Sequence, residues 1–152
     1  MRIKIHTLQK DEQEEAIRLS LVTFMECGKE DYDENGLEVF QSFIYDEEKV
    51  SELTFLGAFD GDKLIGTLAF KKRDGHLSLF FVHSDYHRMG VGRNLFNTFL
   101  SQYKFNEITV NSSTYAVPFY ESLGFKKLAE KQNYHGLISV PLIFHADNTT
   151  TL

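Results

Sequence analysis

The stretch TFLGAFDGDKLIGTLAFKKRDGHLSLFFV, Thr54 to Val82, decides the fold. It contains three apolar runs, FLGAF, KLIGTLAFK and HLSLFFV, separated by DGDK and RDGH. Asp-Gly pairs between apolar runs of strand length are turn signals, because glycine accepts the positive φ of a tight hairpin. The stretch therefore predicts an antiparallel meander of three strands. Directly after Val82 the period changes. VGRNLFNTFLSQY places apolar residues at 91, 95, 96, 99 and 100, the spacing of one helix face.

Before the meander, RIKIHTL alternates like a strand. DEQEEAIRLSLVTFMECG starts acidic, keeps helical spacing and ends at Gly28, and so reads as a helix. EDYDENGLEVFQSFI reads as an acidic loop and a short helix, and DEEKVSEL as a further helical turn. After the glycine-containing turn and its helix, EITV reads as a strand. YAVPFYESL reads as a helix, with Pro118 in its first turn and Gly124 past its end. FKKLAEKQ and LISVPLIFHA read as two final strands. The expected architecture is one α+β domain over residues 1–146, with a mixed, mostly antiparallel sheet flanked by helices. The tail, residues 147–152, is expected to fray.

Composition narrows the function. The formal net charge of -6 disfavours nucleic acid, whose binding needs a basic face. A single cysteine, Cys27, excludes a disulfide framework and a multi-cysteine zinc site. The first residues turn acidic before any long apolar run, unlike a signal peptide. No apolar stretch approaches the roughly 18 residues of a membrane span. A cytoplasmic protein without membrane contact is the expectation.

The meander's last strand runs into HSDYHRMGVG and then a helix. A helix N-terminus offers unpaired N–H groups and a positive dipole end. Gly90 and Gly92 carry no side chains, and Arg88 and Arg93 stand beside them. A phosphate or pyrophosphate suits such a place. A P-loop string is absent, and a dinucleotide fingerprint would need glycine where Leu95 stands. Glycine spacing alone leaves open that the two residues only shape a tight turn.

The wider context resembles the GNAT superfamily of N-acetyltransferases. HSDYHRMGVGRNLF is similar to that family's cofactor loop, a Gln or Arg, two residues, Gly, any residue, then Gly or Ala, after a strand ending in valine. Here the positions are His87, Arg88, Met89, Gly90, Val91 and Gly92, following Phe81 and Val82. His87 departs from the usual Gln or Arg. ITVNSSTYAVPFYESLGF resembles the family's next strand and helix, with Phe119, Tyr120, Gly124 and Phe125 in the F-Y-x-x-x-G-F positions. The resemblance implies a GNAT-type acyl-CoA N-acyltransferase fold and acetyl-CoA as cosubstrate. It implies that amides of Arg88 to Arg93 wrap the pyrophosphate. The edge at Phe81 and Val82 would pair with the pantetheine arm, and Asn111 would hydrogen-bond that arm.

Acetyl transfer requires a proton off the amine and a proton onto the leaving thiolate. The resemblance assigns the acid to Tyr120, which on its own residue pattern reads first as a packed helix-face aromatic. His76 is the candidate base, since histidine titrates near neutrality. Water, an acidic residue of EDYDE or a merely exposed turn histidine are the alternatives. Strand alternation puts Ser78 on the same side as His76. The resemblance implies that the early helical region forms part of the acceptor pocket, with Tyr32 and Phe40 as its lining residues. The run Glu30, Asp31, Asp33, Glu34 either attracts a cationic amine or is a solvated loop. Lys71, Lys72 and Arg73 read as solvated surface. His83 and His87 have a metal-like spacing but fall in a turn, so no metal is expected. The expected function is acetyl-CoA-dependent N-acetylation of a primary amine, on a small molecule or a peptide. The alternative is a GNAT-like module that binds acyl-CoA without turning it over. The expected state is a monomer or a homodimer, and the resemblance implies pairing through the last strands for the latter.

Overall fold

The computed structural model describes residues 2–146; the expected frayed tail lies outside them. Strand β1 (Ile3–Thr7) leads into α1 (Lys10–Cys27), a 3-10 turn at Lys29–Asp31, α2 (Glu34–Ile44) and the single turn α3 (Glu47–Val50). The meander follows as β2 (Leu53–Asp60), β3 (Lys63–Lys71) and β4 (His76–Val82). A 3-10 turn at Ser84–Tyr86 precedes α4 (Val91–Gln102), and then come β5 (Glu107–Ser112), α5 (Val117–Leu123), β6 (Lys126–Lys127), β7 (Gln132–Tyr134) and β8 (Leu137–His145).

The strands form one sheet in the order β1-β2-β3-β4-β5-β8-β6, with β7 also on β8. All pairings are antiparallel except β4 with β5. Helices cover both faces. On one, Leu56, Leu68 and Phe70 pack with Leu95, Phe96 and Phe99 of α4 and with Tyr120 of α5. On the other, Phe55, Ala69 and Leu79 pack with Leu19 and Phe24 of α1 and with Phe40 and Ile44 of α2. A sheet buried on both faces explains why β3 reads as an almost unbroken apolar run instead of alternating.

The expected strand over FKKLAEKQ is corrected. Only Lys126 and Lys127 pair there, and a separate short strand forms at Gln132–Tyr134. Pro141 is the physical cause. Its carbonyl accepts from Leu128 N–H at 2.9 Å, but it has no N–H to return the bond. The β6 ladder stops at that position. The chain comes back as β7 and turns through His135 and Gly136, both at positive φ, into β8. Asp33 N–H donates to Gly136 O at 3.3 Å, docking this hairpin on the start of α2.

Candidate active site

The parallel seam between β4 and β5 holds at only two positions, His76 with Thr109 and Leu77 with Val110. Beyond it the strands diverge, and a cleft of about 970 Å³ opens between them. It runs from the start of α4 to a chamber walled by α1, α2 and the β7–β8 hairpin.

At one end stands the glycine turn. Gly90 caps α4 at φ 84, and Arg88 also sits in the left-handed region at φ 64. The first helical bond of α4 runs from Asn94 N–H to Gly90 O at 2.9 Å. The amides of Val91, Gly92 and Arg93 therefore have no intrahelical partner. The two glycines do different things. A side chain at Gly90 would meet open space, so its need for glycine is conformational. A Cβ at Gly92 would stand 2.8 Å from the Phe119 ring, so that glycine admits an aromatic side chain of α5. Arg93 donates to Ser122 O and Oγ at 3.3 and 3.2 Å, tying α4 to α5. Met89 is exposed and is not among the lining residues.

His87 turns back to the strand end. Its Nε2–H donates to Val82 O at 2.6 Å. The irregular residue of the motif thus braces the turn against β4. Along this edge the backbone alternates. His83 N–H donates to Ile65 O, and Phe81 is opposite Thr67. In an antiparallel ladder this commits the Phe81 amide to β3 and aims the amides of Phe80 and Val82 into the cleft. Phe81 contributes its side chain, edge-on to Phe40 with ring centroids 6.1 Å apart.

A register slip between Ala69 and Phe70 makes Ser78 the extra residue of a bulge in β4. Leu77 and Leu79 consequently pack into opposite cores despite their spacing. His76 and Ser78 both line the cleft. Ser78 Oγ is a buried side-chain oxygen with no hydrogen-bond partner among the described residues. His76 Nδ1 lies 2.8 Å from Thr109 Oγ1 across the seam. Burial holds the imidazole below its usual range; Lys71 adds to this and Asp74 opposes it.

Tyr120 lies in the cleft wall, buried among Phe80, Phe119 and Phe125. Burial pushes its phenol well above the ordinary tyrosine value. Asn111 lines the cleft from β5, and Phe40 from α2. Tyr32 does not line it, contrary to expectation. Its ring packs on Phe24 and its hydroxyl donates to Met25 O at 3.2 Å.

The acidic run is not wholly solvated. Asp31 is buried and accepts from Thr114 N–H and Oγ1–H. Asp33 caps α2 by accepting from Gly36 N–H at 2.8 Å. Lys71, read as surface, lines the cleft. Among the described residues no group of three His, Cys, Asp or Glu side chains is arranged to hold a metal ion. Nor is any described helix long and apolar enough to cross a membrane.

A family model described as an acetyltransferase (GNAT) domain matches residues 28–145. The chain belongs to the GNAT acetyltransferase family. The resemblance seen in HRMGVGRNLF and FYESLGF holds for the family and for the fold. A GCN5-related N-acetyltransferase from Rhodopseudomonas palustris is 18% identical, with 96% of this chain and 97% of that one covered and a TM-score of 0.81. The PaiA N-acetyltransferase from Thermoplasma acidophilum, solved in complex with coenzyme A, is 20% identical over 96% and 100% of the two chains, with a TM-score of 0.73. Tetrahymena GCN5 is 15% identical over 95% and 96%, with a TM-score of 0.66. No curated protein sequence is a significant match to this GNAT chain.

Sequence reasoning missed Lys71, Thr109 and the hairpin wall of this GNAT cleft. Lys71 opens a basic cluster at the end of β3, and nothing local distinguishes it from its exposed neighbours. Thr109 is defined only by its partner across the seam.

Proposed function

We propose that this GNAT domain is an acetyl-CoA-dependent N-acetyltransferase that acts on a primary amine in a ternary complex. The observation that carries the reading is the splay of β4 from β5, open at one end on the unpaired amides of α4 and holding Tyr120 in its wall. The residues fit the cosubstrate. The free amides and cations of the turn suit a pyrophosphate. The cleft-facing amides of Phe80 and Val82 suit the amide groups of an extended arm. The orphaned Ser78 Oγ offers a further polar contact where β4 bulges.

Acetyl-CoA supplies a thioester, so that a new N–C bond forms on the acetyl carbonyl as its C–S bond breaks. His76, held neutral near pH 7 by burial, takes the proton that the amine gives up. Its Nδ1 is anchored on Thr109, and an Nδ1–H donated to that hydroxyl leaves Nε2 as the accepting nitrogen. Tyr120 gives its proton to the departing sulfur. A cleft-facing backbone N–H of β4 that the arm does not engage donates to the carbonyl oxygen as negative charge gathers there.

The test is a panel of amines with free-thiol readout, run beside thermal unfolding with acetyl-CoA. Protection by acetyl-CoA together with thiol release on some amine supports the enzyme. Protection without release on any amine means a binding module instead. Absence of protection removes the cosubstrate assignment.

A further inference from the structure

Among the described residues, the wall of the cleft contains no Asp or Glu. This is notable in a chain with 22 such residues and a net charge of -6. Several carboxylates close in sequence to the lining are committed or turned away. Asp31 spends both oxygens on Thr114. Asp33 caps α2, and Asp74 accepts from His76 N–H at 3.1 Å without lining the cleft. Glu30 and Glu34 are exposed outside it. The side chains that do bring charge are cations: Arg88 and Arg93 at the glycine turn, and Lys71 at the far end.

The far chamber is aromatic. Phe24 and Phe40 stack with centroids 4.3 Å apart, and Phe43, Leu137 and Ile138 continue the apolar wall. Lys71 and His76 flank the tight β3–β4 turn, closed by Gly75 N–H to Lys71 O at 2.9 Å. Lys71 forms no ion pair among the described residues. An acceptor with a second ammonium group would leave that charge desolvated and unpaired here, which is strongly unfavourable. An acceptor with a carboxylate would give Lys71 the partner it lacks. An apolar side chain would displace water from the phenylalanine wall.

We propose that the acceptor is a free amino acid with an apolar side chain. Its carboxylate lies against Lys71, its α-amine faces His76, and its side chain lies among Phe24, Phe40 and Phe43. This specificity rests on the N-acetyltransferase reading above.

Phenylalanine, phenethylamine and spermidine are compared as acceptors. Phenylalanine is expected to exceed phenethylamine in kcat/KM by about tenfold, the scale of one charge-assisted contact. It should exceed spermidine by about a hundredfold or more. In Lys71→Gln the ratio of phenylalanine to phenethylamine should collapse toward one. The ratio cancels any effect of Lys71 on His76, which both acceptors share. Preference for spermidine or phenethylamine, or an unchanged ratio in the variant, overturns the proposal. A second measurement does not depend on turnover. Phenylalanine added to the complex with coenzyme A should raise its unfolding temperature, spermidine should not, and Lys71→Gln should lose the increment. Coenzyme A protection with no thiol release on any amine removes the enzyme reading. In that case the phenylalanine increment still decides the specificity of the chamber, and its absence overturns this inference.

Discussion

Asp31 and Thr114, 83 residues apart, are joined by two hydrogen bonds: Thr114 N–H to Oδ2 at 2.8 Å and Thr114 Oγ1–H to Oδ1 at 2.7 Å. Asp31 is 1% exposed. The contact clasps the turn after α1 to the loop after β5, where Ser113 and Tyr115, on either side of Thr114, line the cleft. Asp31→Asn replaces one accepting oxygen with a donor. It should lower unfolding free energy by about 1–3 kcal/mol, the cost of leaving a buried polar group unsatisfied. Urea unfolding of the single variants and of Asp31→Asn/Thr114→Val reads it. The double variant should lose less than the two singles added together, and simple additivity would show that the pair is not coupled.

The two glycines of the turn should respond differently to alanine. Gly90→Ala forces a side chain into the left-handed region and should cost about 1–2 kcal/mol. Gly92→Ala drives a methyl against Phe119 and should cost about 1–3 kcal/mol by overpacking. Phe119→Leu should recover much of the loss in Gly92→Ala and none of it in Gly90→Ala, measured by urea unfolding. Equal recovery in both would mean that the ring is not what Gly92 accommodates.

Tyr120→Phe should lower kcat by at least about tenfold with little change in acetyl-CoA binding, as for loss of a general acid. Steady-state rates and thermal shift with acetyl-CoA measure the two. Burial raises the phenol's pKa, so Tyr120 stays protonated past pH 10 and an alkaline fall in rate below that belongs to another group. Retention of full turnover takes Tyr120 out of the mechanism.

His76 should set the acid side of the rate profile. Its folded-state pKa is lowered from 6.5 by burial and by Lys71, with Asp74 opposing. The midpoint of the acid limb of kcat should therefore fall below 6.5. Asp74→Asn should move it lower still, and Lys71→Gln should move it back up. Stability follows the same sign. As pH falls below 6.5 the unfolded chain takes up this proton first, so stability declines until the folded-state value is passed. His76→Gln should remove that decline in urea unfolding and abolish the acid limb. An acid limb unchanged in His76→Gln excludes it as the base.

The meander and the helices were legible because both core faces are written locally, in Asp-Gly turns and in spacing such as that of Leu95, Phe96 and Phe99. What failed was written across the chain. FKKLAEKQ reads as a strand because Pro141, which ends its ladder, belongs to a different segment. Asp31 looks solvated in an acidic run because its partner is Thr114. Parity would send Leu77 and Leu79 to one face, and the bulge that sends them to opposite cores is a property of two strands in register. Tyr32 looked like a pocket residue, but Phe24 and the Met25 carbonyl hold it outside. The glycine turn was read as one feature, whereas Gly90 answers to its own backbone and Gly92 to Phe119.

The short seam between β4 and β5 gives the exposed edge of β4 a reading frame. Leu79 and Phe81 have their amides committed to β3, while Phe80 and Val82, one step out of phase, turn theirs to the gap. The Val82 carbonyl is already taken by His87. An extended molecule entering the gap therefore meets every second amide, at the spacing of a missing neighbour strand. Amide hydrogen exchange would display the comb directly, with Leu79 and Phe81 slow, Phe80 and Val82 fast, and the fast pair slowed when the gap is filled.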